Sequence, residues 1–262
     1  MVGGLVAGAG ALVTGGTLLA ARWRRPPAIV GVPILRYRLV GRPVPGSPIN
    51  DLRLPVSLFE AHAQHLRRRG FVPVTLAEAL RRRKERAFLE GNPVVLTFDG
   101  PYASFASVVW PILCHYRLNR VTLFYPPAYL GHEQLVFPEG RPEPLLSTGD
   151  LRRLLAEGVS LGVQAPAARG QELPGLLAEL RAGRQALADF SGSTPDTVAY
   201  SFSSVPAVQA AREAGFLGAA VLGEGVMSPG ESPYAVPRFA VQPDTEPVQL
   251  AMVLARRVGG EY

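Results

Sequence analysis

Asp99 closes an apolar run, Val94 to Phe98, and is followed at once by Gly100 and Pro101. A carboxylate delivered to the C-terminal end of a buried strand is a candidate general base or metal ligand, because parallel α/β folds keep their chemistry there. The same residue types also make ordinary turns. Partners for such chemistry are few. The chain has four histidines, His62, His65, His115 and His132, and one cysteine, Cys114. His62 and His65 lie three apart on an early helix, a spacing that can bridge a metal, but no acid or cysteine is placed with them. Surface or packing roles account for both. His115 and Cys114 are helix neighbours and point apart, and Cys114 reads as a small core residue. One cysteine excludes an internal disulfide and any multi-cysteine metal centre. Ser201, Ser203 and Ser204 cluster without a glycine-flanked nucleophile elbow or a placed histidine base, which argues against a serine hydrolase.

The elements that must position Asp99 follow from the apolar pattern. Val94 to Phe98 reads as a strand, the segment with Val108, Val109, Ile112 and Leu113 as a helix, and Val121 to Tyr125 as a second strand. That β-α-β order demands parallel strands. Upstream, Ala28 to Leu35 reads as a strand, and Ser57 with Glu60 predicts a helix N-terminus. Arg67 to Arg69 and Gly70 predict that helix's end. Phe71 to Val74 is a short strand, and Thr75 with Glu78 opens a helix carrying Arg81, Arg82, Arg83, Lys84 and Arg86. That basic face is solvated or meets anionic lipid or phosphate-rich polymer. Downstream come helices over Leu145 to Ala156, Glu172 to Phe190 and Pro206 to Ala214. They alternate with strands over Val159 to Val163, Thr197 to Phe202 and Gly218 to Leu222, and Pro237 to Val241 and Val248 to Val253 read as the last strands. The alternation predicts an α/β fold with a parallel sheet, open or closed.

Charge is uneven. The net charge is +6, yet residues 1–90 carry 15 Arg or Lys against 5 acidic residues, and residues 91–262 carry 12 against 16. No aromatic interleaving accompanies the basic residues, so nucleic acid is not an expected partner. Residues 1–21 contain no charged side chain and precede Arg22, Trp23, Arg24 and Arg25. This predicts a membrane anchor or uncleaved signal-like segment over residues 1–25, with a flexible Gly/Ala-rich extension as the alternative. A second unit covers residues 26–262. The expectation is therefore a membrane-associated protein of the cell envelope, contacting the membrane through residues 1–21. The arginines after that stretch favour a cytoplasmic domain.

From Val32 to Val241 the segments, taken in order, resemble the polysaccharide deacetylase family of carbohydrate esterases. Val95 to Tyr102 is similar to its first catalytic motif, Gly158 to Ala168 to its second and Ala199 to Ser203 to its third. Pro237, Arg238 and Phe239 resemble a late arginine-bearing segment. The resemblance implies a distorted, incomplete (β/α)7-type barrel. It also implies a general base at Asp99 and a divalent metal such as zinc held by a second aspartate and two histidines.

At the matching positions this chain has Gly100, Gln164 and Ala168. Alanine offers no ligand atom and a glutamine amide is a poor one, so no metal is expected. Asp99 would be a vestigial base. Tyr102, Tyr125, Tyr129, His132, Gln164, Tyr200 and Arg238 are the candidate cleft residues. The expectation is a catalytically inactive deacetylase-like domain binding an envelope glycan or a protein partner. An active N-deacetylase with an unusual site and a structural subunit of an envelope assembly are the alternatives.

Overall fold

Short apolar segments buried on both faces, the pattern a parallel ring demands, form the main sheet. They are Ile34–Tyr37 (β1), Phe71–Val74 (β2), Asn92–Asp99 (β3), Thr122–Tyr125 (β4), Ser160–Gln164 (β5), Thr197–Ala199 (β6), Gly218–Leu222 (β7) and Val236–Ala240 (β8). The computed structural model describes residues 31–85, 87, 89, 91–166, 171–201, 204–228 and 230–255. β1 pairs in parallel with β3 on one side and with β8 on the other. The parallel ladders from β3 through β4, β5, β6 and β7 to β8 complete the circle. Seven strands thus close a distorted (β/α)7-type barrel, and β2 lies along the first half of β3, with Phe71 opposite Asn92 and Val74 opposite Val95.

Around the barrel run Val56–Arg68 (α1), Leu76–Lys84 (α2), Trp110–His115 (α3), Thr148–Ala156 (α4), Leu173–Ser191 (α5), Val205–Glu213 (α6) and Pro247–Ala255 (α7). The capping pattern predicted at Thr75 is present, with Glu78 N–H donating to Thr75 Oγ1 at 3.2 Å. At α1 it is not: the helix begins one residue before Ser57, behind Pro55, with no side-chain cap. The segment Val248 to Val253, read as a strand, is helical. Its buried residues Leu250, Val253 and Leu254 recur at helical spacing, a period that a short apolar run hides. Cys114 is exposed, not a core residue.

Side chains alternate between the barrel interior and the helix-facing layer. Ile34, Val95, Phe124, Ala199, Ala220 and Val236 pack together inside. The Phe124 ring fits because Gly162 faces it; a Cβ there would sit 2.6 Å from the ring. The outer layer, between strands and helices, holds the larger cluster that includes Tyr37, Phe98, Tyr125 and Tyr200.

The basic run on α2 stays largely solvated: Arg81, Arg82 and Lys84 are exposed, with Arg81 pairing with Asp196 at the surface, and only Arg83 is half-buried, donating to the Glu231 carbonyl. The expected membrane association is corrected. Among the described residues no helix is long and apolar enough to cross a membrane. The 19-residue α5 carries Glu179, Arg181, Arg184 and Asp189. Residues 1–21, on which the expectation rested, lie outside the described residues. The transmembrane helix, the membrane as partner and the membrane-associated, cell-envelope localisation are therefore withdrawn.

Candidate functional site

Parallel register decides where Asp99 points. Arg36 lies opposite Thr97 and Ala240, and strand alternation puts Arg36, Thr97, Asp99 and Arg238 on the interior face at the C-terminal end of the ring. There the Asp99 carboxylate accepts from Arg238 Nη1 at 2.6 Å and Nη2 at 3.1 Å, and from Arg36 Nε at 2.7 Å. Arg238 Nη1 also donates to Thr97 Oγ1 at 3.2 Å, and its guanidinium lies over the Phe124 ring. Asp99 is 4% exposed and Arg238 0%. Burial pushes the Asp99 carboxyl upward in pKa, but the guanidinium charges of Arg238 and Arg36 and their hydrogen bonds outweigh it and hold it below its ordinary value. A carboxylate engaged in three charge-assisted bonds is a weak general base.

Beside this cluster a cleft of about 760 Å³ opens, lined by Arg38, Gly100, Tyr102, Tyr129, Gln164 and α5 residues around Gly183, among others. Gly100 has φ +108°, a conformation that favours glycine. A Cβ built on it would lie 2.4 Å from Tyr102 Cε2. The Tyr102 ring therefore occupies the space into which a side chain at position 100 would project. Tyr102 is fixed by a bridge to Leu145 and by packing with Leu39. Gln164 reaches the cleft with its Oε1 unpartnered among the described residues. Ala168 lies outside the described residues, and its methyl group carries no donor. Among the described residues no group of three or more His, Cys, Asp or Glu could hold a metal ion. The residues present do not fit a divalent metal.

No protein-family model and no curated protein matches the sequence. Solved structures do match. The deacetylase PplD of Streptococcus pyogenes, in complex with acetate, superposes with a TM-score of 0.74 at 19% identity, covering 87% of this chain and 99% of that one. IcaB from Ammonifex degensii gives 0.72 at 21%, covering 86% and 97%. A polysaccharide deacetylase from Bacillus cereus gives 0.68 at 20%, covering 86% and 69%. The fold is that of the polysaccharide deacetylases.

On this deacetylase fold the residues singled out from sequence divide into two groups. Tyr102, Tyr129 and Gln164 line the cleft, and Asp99 with Arg238 forms the buried cluster beside it. Tyr125 and Tyr200 do not reach the cleft. Tyr125 is fully buried and donates to the Tyr129 carbonyl at 3.2 Å, burial lifting its hydroxyl to about 12. Tyr200 donates to the Ala207 carbonyl at 2.9 Å, tying β6 to α6. His132 is exposed, with its ring edge-on to Tyr129. Nor do the other histidines gather: His62 is a buried core residue, its Nε2 2.7 Å from the Thr245 carbonyl and its Nδ1 3.4 Å from the Tyr37 hydroxyl. Arg36 and Arg38 were missed by sequence reasoning. Their signal was available, two arginines at strand spacing inside an otherwise apolar run.

Proposed function

We propose that this chain is a carbohydrate-binding domain built on the deacetylase fold and without metal-dependent amide hydrolysis. The observation that carries the reading is the glycine at position 100, with the Tyr102 ring filling the space where the family resemblance implies a metal-binding carboxylate. Hydrolysing an N-acetyl group near neutral pH calls for an activated water and a polarised carbonyl. A metal supplies both, lowering the pKa of bound water toward ~7. Asp99, doubly paired to arginines, offers no comparable basicity, and loss of even one transition-state donor costs ~3 kcal/mol. What remains is a cleft with the Tyr102 and Tyr129 rings, an amide and a guanidinium, a surface suited to sugar rings and hydroxyls. That proteins of this fold include polysaccharide deacetylases supports a saccharide as the ligand class, and were the chain active, its chemistry would be N-deacetylation.

The test uses the purified full chain in three measurements: metal content after incubation with zinc or cobalt, acetate release from an N-acetylglucosamine hexamer, and calorimetric binding to neutral and acidic oligosaccharides. The expected result is substoichiometric metal, no acetate above the blank and binding of at least one oligosaccharide. Metal-stimulated acetate release would overturn the non-hydrolytic half of the reading. Absence of binding to every oligosaccharide would overturn the other half.

A further inference from the structure

Among the described residues the cleft contains a cation without a carboxylate partner. Arg36 and Arg38 stand two apart at the end of β1 and so leave the chain on the same side. Arg36 turns to Asp99, whereas Arg38 emerges past the end of the strand and lines the cleft. Seven arginine–carboxylate contacts link other described residues. None involves Arg38, and its Nε, shielded from solvent, finds no partner among the described residues. Its side chain is half-buried beside the Tyr102 phenol. Among the described residues lining the cleft the one carboxylate is Glu179, which is exposed on α5 and already accepts from Gln171 Nε2 at 2.8 Å.

A guanidinium has a planar fork of donors that matches a carboxylate, sulfate or phosphate, and it is more weakly hydrated than an ammonium. The Tyr102 hydroxyl is a hydrogen-bond partner of this guanidinium; partial burial without a carboxylate partner among the described residues removes some of its hydration and leaves the rest of the fork for an incoming anion. Gln164 brings a second unpaired group to the same cavity, an amide acceptor facing no donor in the described structure.

We propose that the saccharide taken by this cleft is acidic, its anionic substituent received by Arg38 while the half-buried Tyr129 lies against a sugar ring. The proposal rests on the carbohydrate-binding reading and narrows it to one class of sugar. It assigns Arg38 as the specificity-determining residue.

The experiment compares the full chain with Arg38→Gln and Arg38→Lys against three probes by calorimetry: a galacturonic acid hexamer, a sulfated hexamer and a neutral N-acetylglucosamine hexamer. Thermal melts establish that each variant is folded. The wild type is expected to bind an acidic hexamer at least about tenfold more tightly than the neutral one, the scale of a single charge-assisted hydrogen bond. That preference should shrink as salt is raised. Arg38→Gln should abolish the preference, weakening acidic binding far more than neutral binding, and Arg38→Lys should retain part of it. The galacturonate and sulfated probes identify which anion the fork prefers, and a preference for either over the neutral hexamer supports the proposal. Equal affinity of the wild type for acidic and neutral hexamers overturns this inference and leaves the carbohydrate reading standing. An acidic preference that survives in Arg38→Gln overturns the role of Arg38. No binding to any probe removes the carbohydrate reading and this inference together. The salt and probe comparisons need only the wild type, so they test the acidic preference even if a variant fails to fold.

Discussion

Among the described residues two arginine–carboxylate clusters are buried, and they sit in very different places. One is Asp99 with Arg238 and Arg36, at the C-terminal end of the barrel interior. The other is Glu143 with Arg53, where Nη2 donates at 2.5 Å and Nη1 at 3.3 Å. Arg53 belongs to a two-residue ladder with Leu39–Val40, and Glu143 to another with Gln134–Leu135. Glu143 thus ties together two excursions outside the ring, where no resemblance implies chemistry, by the same bidentate fork that holds Asp99. Asp99 is therefore explained as a tether: it joins β1, β3 and β8 at the seam where the circle closes.

The largest effect should come from breaking the inner cluster. Asp99→Asn removes the counter-charge from two guanidiniums, one with 0% exposure, and breaking a buried pair in this way costs about 3–5 kcal/mol. Glu143→Gln strands one guanidinium, which keeps Asn50 as a partner for its Nε at 3.1 Å, so a loss of about 1–3 kcal/mol is expected. Urea unfolding of both variants measures the difference. If Asp99→Asn proves as stable as wild type, or costs less than Glu143→Gln, the tether account of the inner cluster is wrong.

A second prediction concerns the cleft floor. Gly100→Ala meets both the φ of +108° and the Tyr102 ring at 2.4 Å, a strain on the order of 2–3 kcal/mol. Truncating the ring as well, in Gly100→Ala with Tyr102→Ala, frees the space without relieving φ. The double variant should be more stable than the sum of the single losses by about 1 kcal/mol. Strict additivity in this cycle would mean that the ring does not fill the space a side chain at position 100 would take. The contrast with the ion clusters is instructive, since here the space beside position 100 is closed by packing and not by charge.

The sequence made the frame legible where turn chemistry brackets a short apolar run. Phe71 to Val74 and Gly218 to Leu222 were read at the bounds the structure has. α7 was not, because its run is too short to separate a period of two from one of 3.6. At the site, Asp99 was visible because it ends such a run. Its partners were not assigned, since Arg238 lies 139 residues away and only barrel closure brings β8 beside β1. Tyr125 and Tyr200 were misplaced by treating every aromatic near a strand end as cleft wall. Alternation gives the correction: Phe124 faces the interior opposite Asp99, so its neighbour Tyr125 must face the helices. The obstruction at Gly100 depends on a ring two residues away and on a positive φ, and neither follows from residue types.

The smallest effect expected separates charge tethers from a neutral one by pH. His62 is buried between Tyr37 and Thr245. Desolvation lowers its pKa from the ordinary 6.5 and His65 adds to this, while the Thr245 carbonyl and Glu246 pull the other way. A folded-state pKa below the unfolded one means that the unfolded chain binds the extra proton first. The stabilisation is thus complete above pH 6.5 and is lost as pH falls from there through the folded value. Asp99 follows the same sign in a lower window: its contribution is complete above its ordinary 3.8 and disappears only as pH falls further. Wild type should therefore lose a little stability as pH falls below 6.5 and more in stronger acid. His62→Gln should shrink the first step, leaving the part that the less buried His65, also lowered by desolvation, contributes, and Asp99→Asn should flatten the second. Thermal melts across that range measure both steps. If His62→Gln leaves the mild-acid step intact, the group responsible lies elsewhere, and the separation of neutral from charged tethers fails with it.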